Sequence, residues 1–132
     1  MAEEGLHPYF LDRRAAYWHA SLADALAVAA SAGKRVFIQY GRQRCDGSRA
    51  LVEKTIVKDE IAEFLREHFE CFAVDADKAE PDVAAIIAGL PKQLPTPLCV
   101  YLAADGRVLH STAGGRPAAV LLRDFTEATS KK

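Results

Sequence analysis

The chain has 132 residues, half of them hydrophobic and 27% charged, and its 17 basic and 18 acidic residues leave a formal net charge of −1. This balance is typical of a single globular domain and argues against disordered, collagen-like and coiled-coil chains. It provides no basic footprint for nucleic acid and no polybasic stretch for a membrane surface, so we expect neither kind of partner.

The two ends of the chain are expected to be tails. Residues 1–12 are assigned to an N-terminal tail and residues 13–132 to one domain, of which the last four residues also look unstructured. The start of the chain lacks the apolar core of an export signal, and no apolar run approaches the ~20 residues that span a bilayer. Three widely spaced cysteines fit a reducing compartment better than a disulfide framework, so a cytoplasmic location is expected.

The first predicted elements are a helix and a buried strand. Ser21 is a candidate N-cap for a helix that ends at Gly33. Residues 36–40 are β-branched, aromatic and apolar, which predicts a strand covered on both faces. Tyr17 and Trp18 precede the helix, and both are expected to be packing anchors in the core.

The remaining elements alternate between helix and strand. In chain order they are a helix over 48–68 with a break near 57–59, a strand over 71–74, a helix over 83–88, strands over 98–102 and 108–110, and a helix over 118–128. Asp59 is a candidate cap after the break, Asp105-Gly106 is typical of a hairpin, and Pro117 is expected in the first turn of the last helix. The order predicts an α/β fold with a mixed sheet and helices on both faces.

Cys45 lies between the first buried strand and the helix that follows it. At a helix N-terminus, unpaired N–H groups and the positive end of the dipole favour a thiolate over a thiol. Arg42, Arg44 and Arg49 add positive charge, whereas Asp46 disfavours a second negative charge, so we expect a pKa that is lowered but not extreme. The residues alone leave an inert, half-buried cysteine equally open.

Several blocks of the sequence follow the order found in one family. They are Trp18, Ala25-Leu26, Gly33-Lys34-Arg35-Val36-Phe37-Ile38, Cys45-Asp46-Gly47-Ser48-Arg49, Phe69, Val74-Asp75-Ala76-Asp77, Pro95-Thr96-Pro97 and Asp105-Gly106-Arg107-Val108-Leu109. From about Trp18 to the last helix the chain resembles the thioredoxin-like superfamily, which has a three-layer α/β/α fold. The resemblance implies that Pro97 is a cis-proline facing Cys45, and that the backbone of Thr96 pairs with an extended substrate chain.

Three positions depart from the pattern of the family's oxidoreductases. Ser48 stands where a second cysteine is found, so no intramolecular disulfide can close there, although the hydroxyl can stabilise a Cys45 thiolate. Gln39 replaces a buried acid six residues before the nucleophile. Arg44 replaces an aromatic residue at the rim where substrate docks. The resulting C-x-x-S arrangement is similar to that of the anterior-gradient proteins and other single-cysteine members.

We therefore expect a monothiol protein that forms mixed disulfides with protein or low-molecular-weight thiols, glutathione among them, as an oxidoreductase or isomerase-like factor. Cys45 and Ser48 are the expected catalytic residues, and Arg44, Thr96 and Pro97 the expected substrate-binding residues. One alternative is a non-catalytic interaction module with the same fold. Another is a glutathione- and iron–sulfur-binding protein similar to monothiol glutaredoxins. The leading hypothesis needs no cofactor.

The other candidate ligands have structural interpretations. Cys71 and Cys99 lie within apolar strand patterns and are expected in the core. The acidic residues from Asp75 to Asp82 lack the glycine and the final glutamate of a calcium loop, so we expect a solvated loop between strand and helix. The four histidines show no ligand spacing, and no metal site is expected. The segment from His7 to Phe10 would expose apolar surface to a partner if it were unpacked.

Overall fold

The computed structural model describes residues 5–90 and 96–131. Within them the strands are β1 (Trp18–His19), β2 (Arg35–Gly41), β3 (Phe69–Asp75), β4 (Leu98–Leu102) and β5 (Val108–Ala113). The α-helices are α1 (Leu22–Ala32), α2 (Asp46–Ala50), α3 (Asp59–His68), α4 (Pro81–Ala88) and α5 (Ala118–Ser130). A π-helical segment (Leu51–Ile56) continues α2, and a 3₁₀ turn (Ala76–Lys78) follows β3. The first four residues of the expected tail and Pro95 of the family blocks lie outside the described residues.

The strands form one mixed sheet in the order β1-β3-β2-β4-β5. β3 runs parallel to β1 and β2, whereas β4 runs antiparallel to β2 and to β5. Helical crossovers therefore join the parallel strands, and a hairpin adds the antiparallel edge. This is the mixed α/β sheet that the sequence predicts, and the prediction of the fold is confirmed.

Helices cover both faces of the sheet. On one face Phe37, Phe69, Tyr101 and Phe125 form a cluster with ring centroids 5.4 to 6.4 Å apart, packed against α3 and α5. On the other face α1 and α4 pack against apolar strand residues that include Ile38. Successive side chains of a strand point to opposite faces, so β2 contributes to both cores. No helix in the described part of the chain combines the length and apolarity needed to cross a bilayer.

The start of the domain differs from the prediction at Tyr17. Trp18 is buried as expected, but Tyr17 is 51% exposed, and its assignment to the core is wrong. Trp18 enters β1 and its indole N–H donates to the buried Asp12 carboxylate at 2.5 Å, while the Tyr17 ring lies outside against His19. β1 has two residues, which is too short for any periodicity to reveal it.

Two of the predicted helix starts are also displaced by one residue. Lys58, with an extended backbone, is the N-cap of α3, and Asp59 lies in the first helical turn instead of capping it. A carboxylate in that turn still interacts favourably with the positive end of the helix dipole. Pro117 is the N-cap of α5 and not part of its first turn.

The N-terminal segment packs into the domain from His7 onward. His7 is 6% exposed and Asp12 only 2%. The Asp12 carboxylate accepts hydrogen bonds from the backbone N–H groups of Arg14 and Ala16 at 3.1 and 3.3 Å, in addition to the bond from the Trp18 indole. These donors compensate the burial of a charge. The packed domain therefore begins before residue 13, and residues 7–12 of the segment expected to be a tail are part of it.

Candidate active site

Cys45 lies at the junction between β2 and α2. Its backbone is extended, and it is the N-cap of α2, where its sulfur accepts a hydrogen bond from the backbone N–H of Ser48 at 3.4 Å. The sulfur thus takes the position that a serine or aspartate oxygen usually takes at a helix start. Cys45 is a free cysteine and only partly buried, so a partner can reach it.

The loop before β4 contacts the same sulfur. The Thr96–Pro97 peptide bond is cis. The Thr96 hydroxyl donates to the Cys45 sulfur at 3.4 Å, and the protonated thiol can donate to the Thr96 carbonyl oxygen at 3.8 Å. Pro97 packs beneath the first turn of α2, where a Cβ added to Gly47 would lie 3.0 Å from Pro97 Cδ. The structure therefore brings Cys45, Thr96 and Pro97 together.

Hydrogen bonds determine the ionisation of Cys45. Burial by itself raises the pKa of the thiol. Side-chain hydrogen bonds from Ser48 and Thr96, and backbone N–H groups of Ser48 and Gly47, act in the opposite direction and outweigh it. The pKa of Cys45 consequently lies below its ordinary value, in the direction that the sequence predicts.

Two of the three arginines expected to supply positive charge are engaged elsewhere. Arg42 Nε lies 3.1 Å from an Asp77 carboxylate oxygen, and the Arg49 guanidinium lies over the ring of Phe10, 5.7 Å from its centroid. Arg44 is exposed and forms no ion pair with the described residues. Hydrogen-bond donors therefore stabilise the thiolate. The arginine side chains instead contact Asp77 and Phe10 or, for Arg44, are exposed to solvent.

Ser48 lies fully buried one helical turn beyond Cys45. Its hydroxyl oxygen accepts a hydrogen bond from the backbone N–H of Arg42 at 3.3 Å. A Cβ at Gly41 would lie 2.9 Å from Ser48 Cβ and would collide with the hydroxyl oxygen as well. Glycine at position 41 therefore allows the Ser48 side chain to reach the end of β2.

A cleft of about 490 Å³ opens beside Cys45, lined by residues 42–45 and by Asp75, Asp77 and Lys78. Asp75 is only 4% exposed, so the expectation of a solvated loop is wrong at this position. Its carboxylate accepts from Gln43 Nε2 at 3.0 Å and from the backbone N–H of Asp77 at 2.8 Å. Asp75 thereby fixes the loop that carries Cys45, a role that sequence alone does not suggest.

Cys71 and Cys99 occupy the core, as the strand patterns predict. Burial raises the pKa of Cys99 to about 12 and raises that of Cys71 further above its ordinary value. Neither thiol can ionise near neutral pH, so neither is available to attack a disulfide on Cys45. Across residues 5–90 and 96–131, no group of three or more His, Cys, Asp or Glu side chains is arranged to hold a metal ion.

The sheet order, the cis bond and the cysteine at the start of α2 define a thioredoxin-like protein. A family model described as thioredoxin-like matches residues 17–104, and the chain belongs to that family.

Known structures share this fold at low sequence identity. A thioredoxin from Thermus thermophilus is 21% identical, with 82% of this chain and 83% of that chain covered and a TM-score of 0.67. A disulphide isomerase from Xylella fastidiosa Temecula1 is 24% identical, with 83% of each chain covered and a TM-score of 0.61. A DsbH oxidoreductase is 16% identical, with 98% of this chain and 94% of that chain covered and a TM-score of 0.67. Among curated proteins, none matches the sequence significantly.

Proposed function

We propose that this protein carries out thiol–disulfide exchange with Cys45 as its nucleophile, acting as a monothiol oxidoreductase or isomerase-like factor. The observation that carries the proposal is the environment of the Cys45 sulfur, which is partly exposed and receives hydrogen bonds from Ser48 and Thr96. A thiolate is the attacking species in exchange, and these donors stabilise it.

The reaction begins when the Cys45 thiolate attacks one sulfur of a partner's disulfide. The partner's S–S bond breaks, a new S–S bond forms to Cys45, and the second partner sulfur leaves as a thiolate that takes a proton from solvent. Ser48 and Thr96 stabilise the negative charge on Cys45 before attack and again when it becomes the leaving group. We also propose that the backbone of Thr96, with Pro97, aligns the partner chain, and that exposed Arg44 contacts this chain at the rim.

Release of the mixed disulfide needs an external thiol. Ser48 stands in the position of a resolving cysteine, and the buried Cys71 and Cys99 thiols have raised pKa values. A low-molecular-weight thiolate such as glutathione attacks the partner's sulfur in the mixed disulfide, which regenerates the Cys45 thiolate and leaves the partner joined to glutathione. We accordingly propose the cytoplasm as the place of action, supported by three cysteines that are all free thiols.

The proposal is tested by trapping the mixed disulfide with a defined partner. The reduced protein is mixed with oxidised glutathione near neutral pH, quenched with acid and measured by intact mass spectrometry. We expect a single glutathione adduct that disappears after addition of reduced glutathione. The adduct should persist in Cys71→Ala and Cys99→Ala and be absent from Cys45→Ala. Absence of an adduct on the native protein would exclude the reaction with this partner class.

A non-catalytic interaction module is the second candidate. It is favoured by Ser48 and Gln39, which remove a resolving thiol and a buried acid from the positions where the family's oxidoreductases carry them. The two candidates predict different results when proteins bound to this chain are captured from a lysate of the cells that make it. Exchange predicts disulfide-linked proteins that depend on Cys45, whereas a binding module predicts bound proteins that are unaffected by reductant and by Cys45→Ala.

A further inference from the structure

The cleft beside Cys45 has two walls that side-chain hydrogen bonds join. One wall is the loop over residues 42–45, and the other is the end of β3 with the 3₁₀ turn that follows it. Arg42 Nε donates to Asp77 Oδ1 at 3.1 Å, and Gln43 Nε2 donates to Asp75 Oδ2 at 3.0 Å. Because these bonds connect the walls, the side chains of the turn lie opposite those of the loop that carries the sulfur.

Both carboxylates of the cleft already have partners. Asp75 is 4% exposed, and besides the bond from Gln43 it accepts one from the backbone N–H of Asp77 at 2.8 Å. The exposed Asp77 carboxylate pairs with the Arg42 guanidinium. Asp46, the acid at the start of α2, does not line the cleft. Each carboxylate that lines the cleft is therefore engaged with its own donor.

Two cationic side chains of the cleft lack such partners. Arg44 lies on the loop and Lys78 on the turn, both are exposed, and neither forms an ion pair with the described residues. Guanidinium and ammonium groups only donate hydrogen bonds, and their bonds to carboxylates are stronger than those to neutral acceptors. Three cationic groups and two carboxylates line the cleft, and the two groups without a partner are both cationic. The approach to the sulfur therefore carries surplus positive charge.

We propose that Arg44 and Lys78 are specificity-determining residues that select disulfides with a carboxylate near the reacting sulfur. The inference rests on the proposed function, because it names the partners of the same thiol. A Cys45 thiolate repels an anionic partner, and a cation on each wall offsets that repulsion and binds the partner's carboxylate. The same two side chains disfavour a partner that carries an amine at the corresponding position.

The test compares alkylation of Cys45 by iodoacetate and by iodoacetamide, two reagents of similar size that differ by one negative charge. Both react with the thiolate, so the ratio of their rate constants does not depend on how much of the thiol is ionised. At about 0.02 M ionic strength, Arg44→Gln and Lys78→Gln should each lower the iodoacetate-to-iodoacetamide ratio by about two- to threefold. In about 0.5 M salt the reduction should be less than about 1.3-fold, because salt screens exposed charges.

Lys58→Gln is the matched control. Lys58 is exposed and makes no side-chain capping bond at the start of α3, at the far end of the helical stretch that begins beside Cys45. Its removal deletes the same unit of charge and should lower the ratio by less than about 1.3-fold. Arg44→Lys retains the charge and should keep the native ratio. A ratio that Arg44→Gln and Lys78→Gln leave unchanged, or that Lys58→Gln lowers equally, would overturn the proposal.

Disulfides of opposite charge test the same selection in the exchange reaction. The ratio of the rate constants for mixed-disulfide formation with dithiodipropionate, a dianion, and with cystamine, a dication, should fall by about fivefold in Arg44→Gln. A peptide disulfide with glutamates on both sides of its cysteines is measured beside them. A larger fall with this peptide assigns the carboxylate to an acidic protein segment, and an equal fall assigns it to a small disulfide; both support selection by charge.

The two readouts separate this inference from the proposed function. The alkylation ratio needs no disulfide, so a protein that showed the charge effect on alkylation but formed no mixed disulfide would contradict the proposed function alone. A protein that formed mixed disulfides through Cys45 at ratios that neither Arg44→Gln nor Lys78→Gln changed would contradict the selection of anionic partners alone. Both substituted side chains are exposed, so we expect both variants to fold.

Discussion

The hydroxyl of Thr96 donates a hydrogen bond to the sulfur of Cys45, although the two residues are 51 positions apart in the chain. The contact joins the loop before β4 to the start of α2, and with the Ser48 backbone N–H it surrounds the sulfur with donors from two elements. A thiolate at this position is stabilised by the packing of the fold itself and does not depend on the exposed arginines nearby.

Removing the Thr96 hydroxyl should weaken the thiolate. Thr96→Val keeps the side-chain shape and is expected to raise the pH midpoint of Cys45 alkylation by about 0.5 to 1 unit, because a hydrogen bond to the charged form is lost. Thr96→Ser should restore most of the native value. Thr126→Val is the control, since the Thr126 hydroxyl bonds to a backbone carbonyl on the exposed side of α5. An unchanged midpoint in Thr96→Val would show that the Thr96 hydroxyl does not stabilise the Cys45 thiolate.

Gly47→Ala should destabilise the protein through a contact with Pro97. Alanine favours a helix over glycine by about 0.5–1 kcal/mol, but the added Cβ would lie 3.0 Å from Pro97 Cδ, and overpacking costs about 1–3 kcal/mol. We expect a net loss of about 1 kcal/mol in the free energy of unfolding, measured in urea. Gly115→Ala, where a Cβ meets nothing within 4 Å, should be close to neutral. Equal effects at the two positions would show that α2 and Pro97 are not tightly packed.

The stability of the fold should decrease in mild acid because of His7. Burial lowers the pKa of His7 below its ordinary value of 6.5, against weaker opposing effects from Gln39 and Asp12. As pH falls through 6.5, the unfolded chain binds a proton at this position and the folded chain does not, so unfolding becomes easier. The contribution of His7 to the free energy of unfolding is fully present above pH 6.5. It is lost as the pH falls from 6.5 towards the lower pKa that His7 has in the folded protein, with a slope of at most about 1.4 kcal/mol per pH unit.

Urea unfolding between about pH 7.5 and 5 checks this dependence. Burial also lowers the pKa of His110, so part of the slope belongs to that residue. His7→Gln should reduce the pH dependence of the free energy of unfolding, and His110→Gln should remove the part that is due to His110. A slope that His7→Gln leaves unchanged would show that His7 titrates in the same way in the folded and unfolded chains.

The ion pair between Arg116 and Asp124 should contribute to stability more than the surface pairs do. Two hydrogen bonds of 2.8 Å join the guanidinium to the carboxylate, and the Asp124 side chain is 9% exposed. Arg116→Ala leaves that carboxylate buried without its partner, and we expect a loss of about 2 kcal/mol, below the 3–5 of fully buried pairs. Glu127→Ala, which breaks a pair whose side chains are 42% and 55% exposed, should cost less than about 0.5 kcal/mol in urea unfolding.

Strong local patterns made much of the fold predictable. The apolar, β-branched residues of β2 predict a buried strand, and the N-cap and alanine-rich sequence of α1 predict a helix. The family blocks indicate Cys45, Thr96 and Pro97 as site residues. β1 was not predictable, because a two-residue strand has no period and exists only through its pairing with β3. The exposure of Tyr17 follows from the same edge position.

The polar part of the site was less predictable, because it depends on contacts between distant segments. The apolar residues that follow His7 suggested a surface for a partner, and only the fold shows that His7 packs against Gln39 and Trp18 of the same domain. Asp75 looks like one of several solvated acids, and only the fold places it against Gln43. The clearest signal was Gln39 itself, a polar residue within an otherwise apolar strand.

The most direct test of the central claim is a pH titration of the Cys45 thiolate by its ultraviolet absorbance in the native protein. Cys71 and Cys99 have raised pKa values and do not interfere near neutral pH. We expect a single transition below the free cysteine value of about 8.5, and its absence in Cys45→Ala. A midpoint at or above 8.5 would show that the donors from Ser48 and Thr96 do not hold the sulfur as a thiolate, and would contradict the account.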